Sequence, residues 1–202
     1  MGIYLALYAV SDATIARLEA DPILAWRIVD PERPEREAEA RAESMPRPGL
    51  FARVFKGAKP EPPPEPPPLQ LAPGEGELGP DGDFEKSWHG LHYLLTGEAD
   101  GGEPPLAFLM SGGREIDMID GETPLLAYTH AETRRIAEAL GGLSDEEVKA
   151  RVDPEKMTRL DLYPGGWKNP QSIGFLLDEM KRLRKTLAEI AGRGFGVLVS
   201  IG

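Results

Sequence analysis

Residues 194–202 read GFGVLVSIG, an alternating apolar run that predicts a closing β-strand. Side chains alternate between the two faces of a strand, so every second residue shares a face. One face carries Phe195, Val197, Val199 and Ile201. The opening GIYLALYAV (2–10) is apolar on both faces, which is typical of a strand covered on both sides. We therefore expect the two terminal strands to lie beside each other in one sheet.

The segment 171–191 predicts the longest helix of the chain. Its apolar residues are spaced alternately by three and four, and they are Ile173, Leu176, Met180, Leu183, Leu187 and Ile190. Three heptads of this kind fit a coiled-coil homodimer as well as a core helix. Because strands are predicted nearby to cover the seam, we favour the core position. The pattern leaves monomer and homodimer both open.

Helix starts are marked by local capping signals. Thr129 is followed three residues later by Glu132, and this capping box comes directly after the alternating strand LLAYT (125–129). Ser144 and Glu147 repeat the same spacing. These signals predict two further helices, one to about residue 140 and one to about residue 152.

Near the start of the chain, a helix over about 12–20 is predicted after Ser11 or Asp12, and Asp21-Pro22 restarts a helix. Taken together, the elements predict an α+β class. We expect a single domain over 1–202, with a small mixed sheet that includes the N- and C-terminal strands and is packed with several helices. The apolar run 104–113 fits either a helix or a buried strand.

A charged and proline-rich excursion at about 31–82 interrupts this pattern. Residues 60–83 read PEPPPEPPPLQLAPGEGELGPDGD. Proline fixes φ and removes a backbone donor, so we expect this stretch to stay out of the sheet, as polyproline II or disorder. A spacer or surface loop is favoured over a proline-rich ligand for an aromatic groove.

Composition narrows the classes of function. The net charge of −11 disfavours nucleic acid as a partner and would suit a basic protein. The chain has no cysteine, which excludes disulfides, thiolate zinc sites and cysteine nucleophiles. The opening apolar run is too short to span a bilayer and lacks the basic start of a signal peptide. We expect a cytoplasmic protein with no membrane contact.

The stretch DFEKSWHGLHYLLTG (83–97) predicts a helix with Asp83 as its N-cap and Gly97 as its stop. One narrow apolar stripe holds Phe84, Trp88, Leu91 and Leu95. This stripe predicts that Trp88 anchors the helix in the core.

Two histidines and a carboxylate share a second face of this helix. Glu85, His89 and His92 lie at i, i+4 and i+7, and their side chains are donors that zinc or iron accepts. The spacing is not that of an HExxH zincin, so the pattern permits a metal without specifying one. In the alternative reading, His92 is half-buried with one ring nitrogen bonded, while His89 and Tyr93 face outward.

A candidate binding surface follows from the aromatic and histidine residues. Its members are Trp88, His89, His92, Tyr93, Tyr163 and Trp167. Tyrosine and tryptophan favour interface centres. The SGGR sequence at 111–114 matches neither a phosphate loop nor a nucleophile elbow, and its glycines are interpreted as turn residues. No catalytic residue is indicated.

Several blocks in this order resemble the YfbM-like family, a bacterial domain of unknown function. They are MGIYLALYAVSDATIARLEADP, KSWHGLHYLLTG, PLAFLMSGG, TPLLAYTHAETRRIAEAL, DPEKM with LYPGGW, and GFLLDEMKRLRKTLAEIAGRGFGVLVSIG. The resemblance covers nearly the whole chain outside about 30–82. It implies a compact α+β domain of bacterial, cytoplasmic origin, and it brings no catalytic residues.

Two hypotheses of function follow. The first is a non-catalytic binding or protein-interaction module of the bacterial cytoplasm that meets a basic partner. The second is a small-ligand or metal-binding protein, or an enzyme, with a site near the 85–93 helix. Its pocket would be lined by His89, His92 and Tyr93, with His130 or Arg114 completing it. No cofactor is expected, with a divalent metal as the one candidate.

Overall fold

The computed structural model describes residues 2–30, 71–116 and 125–202. The strands in these ranges are β1 (Leu5–Val10), β2 (Leu78–Asp83), β3 (Arg114–Ile116), β4 (Leu125–Tyr128) and β5 (Gly196–Ile201). The helices are α1 (Asp12–Ala20), α2 (Trp26–Val29), α3 (Trp88–Thr96), α4 (His130–Gly142), α5 (Asp145–Ala150), α6 (Pro154–Arg159) and α7 (Pro170–Gly192). Short 3-10 turns cover Pro22–Ala25 and Glu85–Ser87.

The five strands form one sheet in the order β2-β1-β5-β4-β3. The predicted pairing of the terminal strands is confirmed, because β1 pairs with β5 from Leu5 opposite Ile201 to Val10 opposite Gly196. The α+β class in a single domain is confirmed as well. The sheet is antiparallel rather than mixed, since all four ladders between the described strands run antiparallel.

Strand β2 corrects the prediction that 60–83 stays out of the sheet. The last six residues of that stretch form the edge strand beside β1, with an irregular register. An edge strand tolerates Pro80 because one side of its backbone has no ladder partner. Most of the predicted excursion, residues 31–70, lies outside the described residues.

A buried carboxylate holds the segment that leads into β2. Glu75 is 8% exposed, and its oxygens accept hydrogen bonds from Ser11 N (2.7 Å), Thr14 Oγ1 (2.6 Å) and Ala72 N (2.7 Å). Burial raises the pKa of Glu75, but these hydrogen bonds together lower it below the usual value. These hydrogen bonds hold the segment at the start of α1 and favour the ionised form of Glu75.

The sheet is covered on both faces, as the apolar opening strand predicts. On one face, α3, α4 and α7 pack against Leu5, Leu7 and Val199. On the other, α1 and the 3-10 turn after it pack against Val10 and Leu198. The core position of α7 is confirmed, because the seam from Leu176 to Ile190 is buried.

Both capping boxes are confirmed. Thr129 N donates to Glu132 Oε2 (2.8 Å) at the start of α4, and Ser144 N donates to Glu147 Oε2 (2.7 Å) at the start of α5. Ser11 caps α1 by accepting from Thr14 N (3.2 Å). These signals depend on contacts three residues apart, so the sequence alone reveals them.

Two local predictions need correction. Asp83 does not cap α3: it ends β2, and its carboxylate accepts a bond from Glu85 N (2.9 Å) in the turn that precedes the helix. Helix α3 therefore begins at Trp88, although it stops at Gly97 (φ 80°) as predicted. Residues 104–110 are neither helix nor strand but a series of turns.

Candidate functional site

A cleft of 310 Å³ lies between the 3-10 turn Glu85–Ser87, the 164–169 loop and the first turns of α7. Trp167 and Leu176 form its apolar floor and are 4% and 1% exposed. Phe175 stands at its rim with 51% of its surface exposed. The cleft thus joins a closed apolar floor to an open aromatic edge. We call it the α7 cleft.

Glycine and hydrogen bonding shape the floor of the α7 cleft. A Cβ at Gly90 would lie 2.7 Å from Trp167 and 2.9 Å from Leu176, so glycine is what lets α3 approach these side chains. The Trp167 indole N–H donates to Leu162 O (2.7 Å), which fixes the ring. Asn169 caps α7 through Gln171 N (3.0 Å) and holds that helix start beside the loop.

Ser87 carries an unpaired polar atom in the wall of the α7 cleft. The residue is 4% exposed, and its Oγ has no hydrogen-bond partner among the described residues. It occupies the N-cap position of α3, yet its side chain makes no capping bond. Leaving a buried hydroxyl unpaired lowers the free energy of unfolding by about 1–3 kcal/mol. The oxygen is closed off from solvent, so an occupant of the cleft does not reach it.

Negative charge collects beside the same turn. Asp83 and Glu85 are exposed, and the third carboxylate of the group is Glu179 on α7, which is 3% exposed. Burial raises the pKa of Glu179, and the charges of Glu85 and Asp83 act in the same direction, against the hydrogen bond and charge of Arg182. Arg182 Nη1 lies 2.6 Å from Glu179 Oε1. Glu85 forms no ion pair with any described residue, so negative charge remains beside this end of the cleft.

Lys86 is the one cation among the described side chains that line the α7 cleft. Its ammonium nitrogen lies 5.8 Å from the centre of the Tyr4 ring, which is 46% exposed. The Lys86 side chain therefore points toward Tyr4, just before β1, whereas Glu85 belongs to the group of carboxylates beside α7.

His89 is fully engaged in structural hydrogen bonds. Tyr163 N donates to its Nδ1 (3.0 Å), so Nε2 carries the ring proton and donates to Ala99 O (3.0 Å). The ring also stacks on Trp88, with centroids 4.6 Å apart and planes 4° apart. His89 thus ties α3 to two loops and has no nitrogen left for a ligand.

His92 is completely buried, and neither of its ring nitrogens has a hydrogen-bond partner among the described residues. The prediction of a half-buried ring with one bonded nitrogen is therefore wrong. Burial lowers the pKa of His92, and the charge of His89 acts in the same direction. The backbone of Gly101 and the charge of Asp100 oppose this shift, although Gly101 forms no hydrogen bond of good geometry.

The structure does not gather the predicted metal ligands. Glu85 is exposed on the 3-10 turn, His89 uses both nitrogens, and His92 lies in the core. Within residues 2–30, 71–116 and 125–202, no group of three or more histidine, aspartate or glutamate side chains could hold a metal ion.

The two residues predicted to complete a pocket with them lie elsewhere. His130 Nε2 lies 3.1 Å from Ala191 O at the far end of α7. Arg114 pairs with Glu19 (3.3 Å) and Glu132 (2.7 Å). Neither side chain lines the α7 cleft.

The predicted aromatic surface is divided between core and surface. His92, Tyr93 and Trp167 are buried, because α3 and the loop before α7 pack against the main core. Trp88 is only partly buried and stacks near Tyr163, with centroids 6.1 Å apart. It packs against the core without being enclosed by it, so it is an edge residue rather than a core anchor.

Sequence reasoning missed Ser87 and Phe175. Phe175 lies on α7 outside the apolar seam, and a large apolar residue off the seam is a signal of an exposed contact that the sequence does contain. No sequence signal identifies Ser87, since whether its hydroxyl is hydrogen-bonded depends on the groups that surround it in space.

A second, smaller cleft of 150 Å³ lies beside β4. Its Tyr128 hydroxyl lies 2.7 Å from both Phe108 O and Ser111 O, so its single proton already has carbonyl acceptors. Burial raises the pKa of Tyr128, and the charge of Glu132 acts in the same direction. The tyrosine hydroxyl of this cleft is therefore already paired.

Comparisons with known proteins give one family match and one structural match. A family model described as a domain of unknown function (DUF1877) matches residues 1–200. A solved structure, the protein of unknown function YfbM from Escherichia coli, is 15% identical, with a TM-score of 0.57 and 100% of both chains covered. A search of curated proteins finds no match. No helix in the described part of the chain is long and apolar enough to cross a membrane.

Proposed function

Because the chain belongs to the DUF1877 family, whose description assigns no activity, we propose its function from the α7 cleft. We infer a non-catalytic protein-interaction module of the bacterial cytoplasm. Its partner is a basic protein, and the contact is centred on Phe175.

The exposure of Phe175 is the observation that carries this proposal. Its ring is 51% exposed at the edge of a cleft whose floor is apolar. Full burial of such a side chain contributes about 1.5–3 kcal/mol, so covering its exposed half contributes about 1 kcal/mol. Aromatic anchors beside a pocket are the usual centres of protein interfaces.

Charge supports a basic partner. The chain carries a net charge of −11, and Asp83 and Glu85 are exposed beside the cleft. Complementary charge raises the association rate and makes it sensitive to salt. A basic surface would therefore be guided to the side of the molecule that holds the aromatic rim.

Site-specific photo-crosslinking tests the proposal. A photoreactive amino acid replaces Phe175 in one variant and Ile23 in a matched control, since Ile23 is 48% exposed and belongs to the 3-10 turn on the other face of the sheet. We expect position 175 to capture one basic protein from lysate that position 23 does not capture. Equal capture at both positions, or no capture at 175, would contradict the proposal.

The captured protein then allows a quantitative test. With the purified partner, Phe175→Ala should weaken binding by about fivefold or more, the loss expected for an interface anchor worth at least 1 kcal/mol. Ile23→Ala should leave the dissociation constant unchanged. The association rate should fall as salt rises, and a salt-independent rate would count against a basic partner.

A small-ligand protein is the second candidate, and the volume of the α7 cleft favours it, because 310 Å³ falls within the range of ligand pockets. A thermal-shift screen against metabolites tests this candidate. A ligand at about 100 times its dissociation constant should stabilise the fold by about 2.7 kcal/mol. The stabilisation should shrink in Phe175→Ala if the ligand occupies this cleft, because Phe175 lines it and is exposed.

A further inference from the structure

The Glu179 carboxyl group on α7 is buried with one oxygen hydrogen-bonded and the other not. The residue is 3% exposed. Its Oε1 accepts a hydrogen bond from Arg182 Nη1 (2.6 Å), whereas Oε2 is closed off from solvent and has no hydrogen-bond partner among the described residues. A charged oxygen in that position has lost its water without gaining a donor, which disfavours the ionised form. A proton on Oε2 removes the charge and leaves Oε1 able to accept.

Two neighbouring carboxylates act on Glu179 in the same direction as burial. Burial raises the pKa of Glu179, and the negative charges of Glu85, in the turn before α3, and of Asp83, at the end of β2, raise it further. The hydrogen bond and charge of Arg182 oppose this shift. Burial, an unpaired oxygen and two like charges therefore all favour a proton on Glu179.

The titratable groups of the other elements packed along α7 have contacts of their own. Lys86 lies over the Tyr4 ring, and the two ring nitrogens of His89 are bonded to Tyr163 and Ala99. The remaining groups in the described ranges are His92 beside Asp100 on the α3 side, Glu132 with Arg114, Arg134 with Glu138, Arg135 at the smaller cleft, and Asp145 with Arg184.

We propose that Glu179 is a proton-operated switch: when ionised it holds Arg182 at the end of β2, and when protonated it releases that arginine. Arg182 Nη2 donates to Asp83 O (2.8 Å), and its guanidinium lies 5.2 Å from the centre of the Phe84 ring. Arg182 therefore links α7 to the residues that lead into the turn at one wall of the α7 cleft. Loss of the charge on Oε1 weakens its bond to the guanidinium, because charge-assisted hydrogen bonds are the stronger ones. The exposed carboxylates of Asp83 and Glu85 then compete for Arg182, so this wall changes as the pH falls.

NMR titration of the isotope-labelled full chain with pH tests the switch, and it needs no partner protein. The side-chain carboxyl carbon of Glu179 reports its protonation, and the amides of Phe84 and Glu85 report the turn. We expect Glu179 to titrate with a pKa above the ordinary value of 4.5, and the two amides to shift with the same midpoint. The carboxyl carbons of Asp83 and Glu85, recorded in the same spectra, separate their protonation from that of Glu179.

Three variants locate the switch. Glu179→Gln is neutral at every pH, so the amides of Phe84 and Glu85 should lose the Glu179 transition. Arg182→Met keeps an apolar stem and removes the link, so Glu179 should still titrate while the two amides no longer follow it. Glu189→Gln is the matched control, because it removes a half-exposed carboxylate of the same helix, 3.9 Å from Lys185 Nζ, and should leave the transition unchanged.

The outcomes decide between a switch and a plain ion pair. A Glu179 carboxyl carbon that titrates at or below the ordinary value would overturn the proton site. A raised midpoint with amides at 84 and 85 that do not follow it, or that follow it equally in Arg182→Met, would overturn the coupling. Either result leaves the crosslinking test at position 175 untouched, so the proposed function stands or falls separately.

Discussion

His92 offers the sharpest test of the physical reasoning, because the core buries its polar ring without giving it a hydrogen bond from any described residue. Both ring nitrogens are buried and have no hydrogen-bond partner among the described residues. His92→Leu replaces the ring with an apolar side chain of similar size. Removing buried unpaired polar atoms should raise the free energy of unfolding at neutral pH by about 1–3 kcal/mol.

The pH dependence gives the same substitution a second signature. Since burial lowers the pKa of His92 below its ordinary value of 6.5, the unfolded chain binds a proton there more readily than the folded chain. The stability of the wild type is therefore full above about pH 6.5 and falls as the pH drops, by up to about 1.4 kcal/mol per pH unit. The leucine variant cannot be protonated at this position, so its stability does not fall in this way.

Urea unfolding followed by tryptophan fluorescence measures both effects at about pH 7.5 and about pH 5.5. The stability advantage of His92→Leu should grow at the lower pH. Glu179 titrates in both proteins, so its contribution cancels in the difference. His130→Leu is the matched control at neutral pH: it removes a partly exposed, hydrogen-bonded imidazole and should not raise the free energy of unfolding. A leucine variant less stable than wild type, with unchanged pH dependence, would refute the reasoning.

Three further predictions concern stability. Tyr128→Phe removes the hydroxyl that bonds two backbone carbonyls and should cost about 1–2 kcal/mol in urea unfolding. Gly196→Ala should cost about 2 kcal/mol or more, because the new Cβ would collide with the carbonyl of Tyr128, whereas Gly141→Ala has open space in α4 and should gain about 0.5–1 kcal/mol. Although burial raises the pKa of Glu132, its hydrogen bonds lower it below 4.5, so Glu132→Gln should lose about 0.5–2 kcal/mol at pH 7 and the difference should shrink in acid.

Signals that depend on near neighbours in the chain were predictable. The capping boxes at Thr129 and Ser144 and the seam of α7 are confirmed because three- and four-residue spacings determine them. The terminal strands were also predictable, since alternation and apolar faces are properties of each strand alone. Strand β2 was missed because its composition is that of a loop, and its place comes from pairing with a distant strand.

The candidate site was harder to predict, because it joins segments far apart in the sequence. Glu85 was singled out for metal binding, but the structure places it in one cleft with Phe175, about 90 positions away in the chain. The imidazoles that suggested a metal site are held by Ala99 and Tyr163 in one case and enclosed by the core in the other. Whether a polar side chain is hydrogen-bonded depends on its neighbours in space. The spacing of residues along the chain does not give those neighbours.

The central pairing of β1 with β5 has a consequence for how the chain is made. Ala6 pairs with Ser200, so β1 leaves the ribosome long before the strand that pairs with it has been synthesised. Until then β1 and β4 both lack β5, the strand that lies between them in the sheet. The sheet therefore closes only after synthesis has reached β5, and a nascent chain would expose unpaired strand edges to chaperones during translation.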